Sequence, residues 1–364
     1  MRVLMVSKAL VVGIYQRKLE EIARHGVTLM AIVPPSWRDE RGETPLERAY
    51  THGYQMKVLP LANNGDFHLH WYRGLGRVMR EFRPQIVHID EEPYNLAAWQ
   101  ALFAARRVGA KSVLFTWQNI HRRYPPPFGW GEAYTLSHID HLIAGTAGSA
   151  AVWREKGYRG AMSIIPQFGT DASLFVPTVP RPERPFTAGY FGRLVEEKGV
   201  GLLIEAAAQL TGEWRLLIVG AGPQRDALIH QTEALGIHDR VTFTAHVPSL
   251  EMPGMYRQLD ALVLPSLTRP NWKEQFGRVL VEAMMSGVAV IGSASAAIPD
   301  VIGDAGVIVP EGSTAALADA LRRMQTDAEA RQRLAERGRA RALAGFTHEQ
   351  VATQTVAVYR AVLS

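Results

Sequence analysis

Cysteine is absent from this 364-residue chain, which excludes disulfide staples and thiolate chemistry. No apolar run approaches the ~18 residues that a membrane-spanning helix requires. The opening MRVLMVSKAL lacks the order of a secretory signal and reads instead as a buried strand. These absences set a cytoplasmic location as the expectation. Net charge is also small, +5 in all, and uneven. Residues 1–172 hold 21 Lys and Arg against 15 Asp and Glu, and the remainder holds 19 against 20. So small and scattered an excess argues against a nucleic-acid partner. The basic first half is either a solvated face or a surface that meets an anionic partner, such as the inner face of a membrane touched peripherally.

What is present is an alternation. At 364 residues the chain is too long for one ordinary core, so two domains are expected. Short β-branched runs (2–7, 27–33, 55–61, 85–89, 112–117, 141–144 and 163–165) are separated by amphipathic stretches at 14–25, 72–82 and 96–108. A proline-rich stretch, 176–185, forbids helix and reads as a linker. The pattern then restarts with strands at 187–192, 214–220, 241–246, 261–266, 288–293 and 306–309. Helices are expected over 199–210, 223–235, 250–258 and 276–285, and three more over 313–324, 328–343 and 348–363. Strand–helix alternation predicts an α/β fold of two doubly wound parallel sheets. The expected division is 1–172, 173–345, and a final helix, 346–364, returning to the first domain. Ligands of such sheets bind at the carboxyl ends of the strands, and two sheets facing each other make a central cleft.

The most informative segment is EQFGRVLVE, Glu274 to Glu282. Glu282 lies inside an apolar helix, where a carboxylate is costly unless paired. Ribose hydroxyls would match its two oxygens, and a structural ion pair would serve equally. Glu274 sits before the helix, beside Gly277, where free N–H groups suit a phosphate or a sugar hydroxyl. The other reading leaves Glu274 as an exposed loop residue.

This segment, with Gly192-Arg193-Leu-Val-Glu-Glu-Lys198-Gly199, Ile218-Val-Gly-Ala-Gly222-Pro and Ile165-Pro-Gln-Phe-Gly-Thr-Asp171, resembles the family 4 retaining glycosyltransferases of the GT-B fold (glycosyl transferases group 1). The resemblance covers residues 139–345 and more loosely the whole chain. It implies two Rossmann-like domains, the first on the acceptor side and the second binding a nucleotide diphosphate sugar. It implies a hexosyltransferase-type reaction onto the hydroxyl of a glycolipid, polysaccharide or small molecule. By the same resemblance Arg193 and Lys198 hold the donor diphosphate and Glu274 lies near the transferred sugar, which makes these three the catalytic set. Glu282 would take the ribose, with Gln275, Phe276, Gly277, Gly192, Gly222 and Gly13 around the donor. The base would lie near His246 and Val247. No Asp-x-Asp motif occurs, so no metal and no cofactor beyond the donor sugar are expected.

The first half departs from the family pattern. Where many members carry a His after a strand, this chain has Gln118 and Asn119, with His121 slightly later. Asn119, His121 and Arg122 fall in a loop, 117–130, that mixes aromatic, basic and proline residues. That loop is either a sugar-contact surface or a rigid connector packed on its own rings. Asp90, Glu91 and Glu92 close the strand 85–89, where they either orient an acceptor hydroxyl or cap the next helix. Of these, Glu91 is the acceptor-side candidate. Arg73, Arg77 and Arg80 recur at helical spacing beside Trp71 and Tyr72, as a solvated face or a lipid-facing stripe. The competing functions are a sugar-nucleotide epimerase of the same fold, which needs no acceptor, and a sugar-nucleotide-binding protein without catalysis.

Overall fold

The computed structural model describes residues 1–39, 42–178, 184–245, 247–248 and 251–364, in two compact units. The first unit comprises Met1–Gly169 with His348–Ser364, and the second Thr170–Thr347. The boundary therefore falls at 169/170, where the sequence expectation put 172. Part of the proline-rich linker, 179–183, and His246 lie outside the described residues.

The first unit runs β1 (Arg2–Val6), α1 (Arg17–Arg24), β2 (Thr28–Val33), β3 (Ser36–Asp39), β4 (Gly42–Pro45), β5 (Gln55–Val58), β6 (Leu61–Ala62), β7 (Trp71–Tyr72), α2 (Leu75–Phe82), β8 (Ile86–Ile89), α3 (Leu96–Arg107), β9 (Lys111–Thr116), α4 (Phe128–His138), β10 (His141–Ala144), α5 (Ala147–Glu155) and β11 (Ala161–Ile164). Seven strands form one parallel sheet in the order β11-β10-β9-β8-β1-β2-β5. The register sets Val3 beside Leu29 on one side and Ile86 on the other. β1, β8 and β10 are apolar and buried nearly throughout, as strands covered on both faces must be.

The second unit runs β12 (Phe186–Phe191), α6 (Val200–Ala207), β13 (Trp214–Val219), α7 (Arg225–Ala234), β14 (Val241–Thr244), α8 (Met252–Tyr256), β15 (Ala261–Leu264), α9 (Arg278–Met285), β16 (Ala289–Ser293), α10 (Ile298–Ile302), β17 (Val307–Val309), α11 (Thr314–Thr326) and α12 (Ala328–Gly345). Its parallel sheet has the order β14-β13-β12-β15-β16-β17. The last helix, α13 (His348–Leu363), belongs to the first unit and packs on α1. There Val351, Ala352, Val356 and Tyr359 join the core that covers one face of the first sheet. Deep inside it, His88 Nδ1 lies 2.6 Å from the Tyr359 hydroxyl. Burial pushes the imidazole well below its usual range and the phenol well above.

Three differences from the sequence expectation stand out. The stretch 14–25 begins inside a 3-10 turn, Gly13–Gln16, itself preceded by another at Ala9–Val11, and becomes α-helical only at Arg17. The expected strand 55–61 stops at Val58, and the expected helix 72–82 starts at Leu75, because Leu61–Ala62 and Trp71–Tyr72 pair with each other antiparallel. Helices α4 and α5 fall where no helix was expected, and α4 takes over the loop 117–130 from Phe128 onward.

In both sheets the strand order reverses beside the first strand, between β1 and β8 and between β12 and β15. Loops leaving two adjacent strands in opposite directions open a crevice at their carboxyl ends, the usual ligand position in such sheets.

Candidate active site

At the reversal in the second unit, the loop after β12 carries Gly192, Arg193 and Lys198. The loop after β15 carries Glu274, Gln275, Phe276 and Gly277. Lys198 Nζ sits 2.5 Å from Glu274 Oε2, and the Ser266 hydroxyl donates to the same oxygen at 3.0 Å. The ammonium also stands 4.9 Å from the centre of the Trp272 ring. Backbone and ion-pair links lace the two loops: Leu267 N–H donates to Glu197 O at 2.8 Å, and Arg269 meets Glu196 at 2.5 Å. Glu274 is buried, whereas the Arg193 side chain is 46% exposed and 3.7 Å from Glu197. The structure thus joins Lys198 and Glu274 directly and leaves Arg193 at the rim.

Glycines let these loops pack closely: a Cβ on Gly199 would lie 2.2 Å from the Pro265 carbonyl oxygen, between the β12 and β15 loops. A Cβ on Gly220 would lie 1.8 Å from the Gly192 carbonyl oxygen, so only hydrogen permits the approach of the β13 and β12 loops. Gly277 holds φ +77°, the left-handed conformation from which α9 begins. Gln275 beside it is exposed, and the Phe276 ring meets Phe346 edge-on at 5.8 Å. Gly222 approaches the Leu194 carbonyl in the same manner, while Val247 packs at the edge of the core.

Glu282 is buried on α9, and both of its oxygens accept protein donors. The Tyr256 hydroxyl reaches Oε2 at 2.7 Å, and Arg278 Nε, one helical turn earlier, reaches Oε1 at 2.7 Å. The ion pair that the sequence left open as an alternative is therefore present. Burial, and next the Glu282 charge, push the Tyr256 phenol well above its ordinary range, so it stays a donor.

The first unit has its own polar cluster at the reversal of its sheet. Ser7 Oγ donates to Asp90 Oδ2 at 2.5 Å, and Gln167 Nε2 to Asp90 Oδ1 at 2.8 Å. Lys8 Nζ pairs with Glu91 Oε2, and its ammonium lies 4.9 Å from the Phe67 ring centre. Glu91 also receives the Tyr72 hydroxyl at 3.1 Å and Asn95 Nδ2 at 3.3 Å, and it stands 3.3 Å from His70 Nε2. Glu92 accepts Thr116 Oγ1 at 2.6 Å and Trp117 N–H at 2.8 Å.

Three consecutive carboxyls therefore titrate differently. Burial raises Asp90, despite the opposing pull of the Lys18 charge and its hydrogen bonds. Burial also pushes Glu91 upward, but Lys8 and His70 overcome it and hold the group down at about 2. Glu92 is pushed up to about 7, by burial first, against the lowering effect of its Thr116 and Trp117 hydrogen bonds. Burial lowers Lys18 as well, to about 8, and its ammonium donates to the Gln167 carbonyl at 2.7 Å.

The structure encloses Glu91, the acceptor-side candidate, among these donors with no side-chain exposure. Partly exposed Glu92 is the neighbour poised to exchange a proton near neutrality, and sequence reasoning did not single it out. None of the three caps α3, because that role falls to Asn95, which accepts Ala98 N–H at 3.1 Å. Gly13 N–H donates to Glu47 at 2.6 Å inside the unit. Gln118 and Asn119 are buried, and among the described residues no donor reaches Gln118 Oε1. His121 and Arg122 are exposed and line a recess of about 460 Å³ with Trp130 and Lys156. Among the described residues no group of three His, Asp or Glu is placed to hold a metal.

Two family models match this chain: glycosyl transferases group 1 over residues 175–341 and glycosyl transferase 4-like domain over 15–166. Lipopolysaccharide core biosynthesis glycosyltransferase LpsD of Rhizobium meliloti is 30% identical over 86% of this chain and 84% of its own length. Alpha-D-kanosaminyltransferase of Streptomyces kanamyceticus is 33% identical over 49% of this chain. D-inositol 3-phosphate glycosyltransferase of Nocardia farcinica is 32% identical over 64%. The matches span about half of these last two relatives, 46% and 55%. Among solved structures, sucrose-phosphate synthase from Thermosynechococcus elongatus superposes with a TM-score of 0.74 at 21% identity, covering 100% of this chain and 99% of its own. The Anabaena HepE protein in complex with UDP and glucose gives 0.73 at 18%, covering 99% and 100%. At such identities the structures speak for the fold alone, which is GT-B.

Proposed function

This chain belongs to the group 1 glycosyltransferases, and from that membership we propose that it moves a hexose, with retention, from a nucleotide diphosphate sugar to an acceptor hydroxyl. What carries the reading is the Lys198–Glu274 pair, drawn from two loops onto the carboxyl ends of β12 and β15. Departure of a nucleotide diphosphate builds negative charge on the β-phosphate. Cations fixed at that spot stabilise the transition state more than the ground state. Lys198 and the more exposed Arg193 take this role, and Glu274 holds Lys198 in place and receives a hydroxyl of the transferred sugar.

The reaction is a front-face displacement. The acceptor oxygen forms the new bond to the anomeric carbon as the bond from that carbon to the phosphate oxygen breaks. The electron pair goes to the departing phosphate, which takes the acceptor proton. Glu282 accepts the ribose hydroxyls on lone pairs left over from Tyr256 and Arg278. Gln118 Oε1, a buried acceptor in need of a donor, takes a sugar hydroxyl where relatives place His.

Because neighbouring structures hold UDP and UDP-glucose, UDP-sugars head the test series, followed by GDP-, dTDP- and ADP-sugars. A true donor at 100 times its dissociation constant raises stability by about 2.7 kcal/mol, which a thermal-shift screen detects. Sugar transfer that persists unchanged in Lys198→Ala and Glu274→Gln would overturn the assignment. Donor epimerisation without any acceptor would favour the epimerase.

A further inference from the structure

A recess lies at the opposite, amino edge of the first sheet. It is an open depression of about 640 Å³, a volume within the range of small-ligand sites. Arg2 opens β1, Lys111 opens β9, Gln85 precedes β8, and Arg80 and Arg83 come from the end of α2. No Asp or Glu lines it. The sequence stripe of Arg73, Arg77 and Arg80 divides here: Arg77 pairs with Glu81 at 3.0 Å, and Arg80 is among the residues that line the recess.

Two features set these cations apart from ordinary surface dressing. Arg2 Nε donates to the Arg83 carbonyl at 2.9 Å, and Arg2 N–H to Gln85 Oε1 at 2.9 Å, so Arg2 is held at both its backbone and its guanidinium. Arg83 closes α2 at φ +51°, a left-handed position that glycine fills without strain, yet a guanidinium stands there. Helix ends do not absorb this charge. The carboxyl ends of α2, α3 and α13 contribute about half a negative charge each. Asp140, 2.9 Å from Lys111, contributes one more. Four cations against these keep the recess net positive. A phosphoryl group carries about −1.5 to −2 at neutral pH and matches arginine forks in shape.

We propose that Arg2, Arg80, Arg83 and Lys111 form a second anion site, at the amino edge of the first sheet, that takes a phosphoryl group. The site is independent of the transfer reaction, whose residues in the second unit it does not share. Its source is either a soluble phosphorylated metabolite or a lipid headgroup.

Pyrophosphate titration by calorimetry tests it on wild type, Arg80→Ala/Arg83→Gly and Lys198→Ala. Arg80→Glu serves as a second variant with a single exposed change. Both Arg variants are expected to weaken one class of binding by about tenfold or more. Lys198→Ala should keep that class. Cosedimentation with phosphatidylcholine vesicles, with and without phosphatidic acid, separates the sources. Arg80-dependent capture only on phosphatidic acid assigns a headgroup, and pyrophosphate binding without capture assigns a soluble ligand. Binding in the Arg variants equal to wild type in both formats, or no pyrophosphate class beyond the one lost in Lys198→Ala, overturns the site.

Discussion

Each unit places a lysine and a glutamate from adjacent loops at the point where its strand order reverses, and each lysine sits against an aromatic ring. Lys8 meets Glu91 beside Phe67, and Lys198 meets Glu274 beside Trp272. The difference lies in what else touches the carboxylate. Glu91 has Tyr72, Asn95 and His70 around it and no exposed side-chain surface. Glu274 has Ser266, and its side chain is 10% exposed. Equivalent topology thus serves two ends. A carboxylate sealed from solvent fixes a loop, and one whose side chain keeps some exposed surface can meet a ligand.

The contrast breaks most readily at Glu91. Glu91→Ala leaves Lys8, His70, Tyr72 and Asn95 without their acceptor, and a loss of about 3–5 kcal/mol is expected in urea unfolding. A change below about 1 kcal/mol would show that the ring of donors does not depend on the carboxylate. At the second unit the effect moves from stability to turnover. Lys198→Ala should lower kcat by about 10²–10³-fold and cost less stability than Glu91→Ala, since Glu274 keeps the Ser266 hydroxyl as a donor. A large drop in melting temperature with normal turnover would make the two pairs alike.

Glu92 sharpens the comparison through pH. Its folded-state pKa, about 7, exceeds the ordinary carboxylate value, so the folded state binds the extra proton. The associated stability is complete below about pH 4.5 and is lost as pH rises through about 7. Glu92→Gln should therefore match wild type near pH 4 and exceed it by about 3 kcal/mol near pH 8. A difference that stays flat across that window would mean Glu92 ionises normally. The smallest effect is expected from Arg77→Ala on the exposed face of α2. Its i,i+4 pair with Glu81 has no enclosing loop, and the loss should stay within about 0.5 kcal/mol.

Both sheets were legible because buried parallel strands write themselves as apolar runs, such as IVHI at 86–89 and ALVL at 261–264. Helix α5 escaped notice because AGSAAVWRE carries no clear apolar stripe. Its usable signal was Thr146, whose side chain accepts Ser149 N–H at 3.2 Å as an N-cap. Helix α4 follows three prolines, contains two glycines and buries only Thr135 fully, so tertiary packing overrides local preference there. The β3–β4 pair, SWRD with GETP, has little strand propensity and gave no warning. Lys198 and Glu274 could be read from a motif, since both stand in recognisable loops. The fate of Glu91 could not, because Lys8 lies 83 residues away and Tyr72 19, and no local pattern announces that they converge.

The last helix has a practical consequence for dissecting the protein. The second unit is one continuous stretch, 170–347. The first is not, because Tyr359 and its neighbours fill part of its interior. Trimming the tail at 347 would leave His88 facing solvent, whereas splicing 348–364 through a short linker onto residue 169 would rebuild that half as a single gene product.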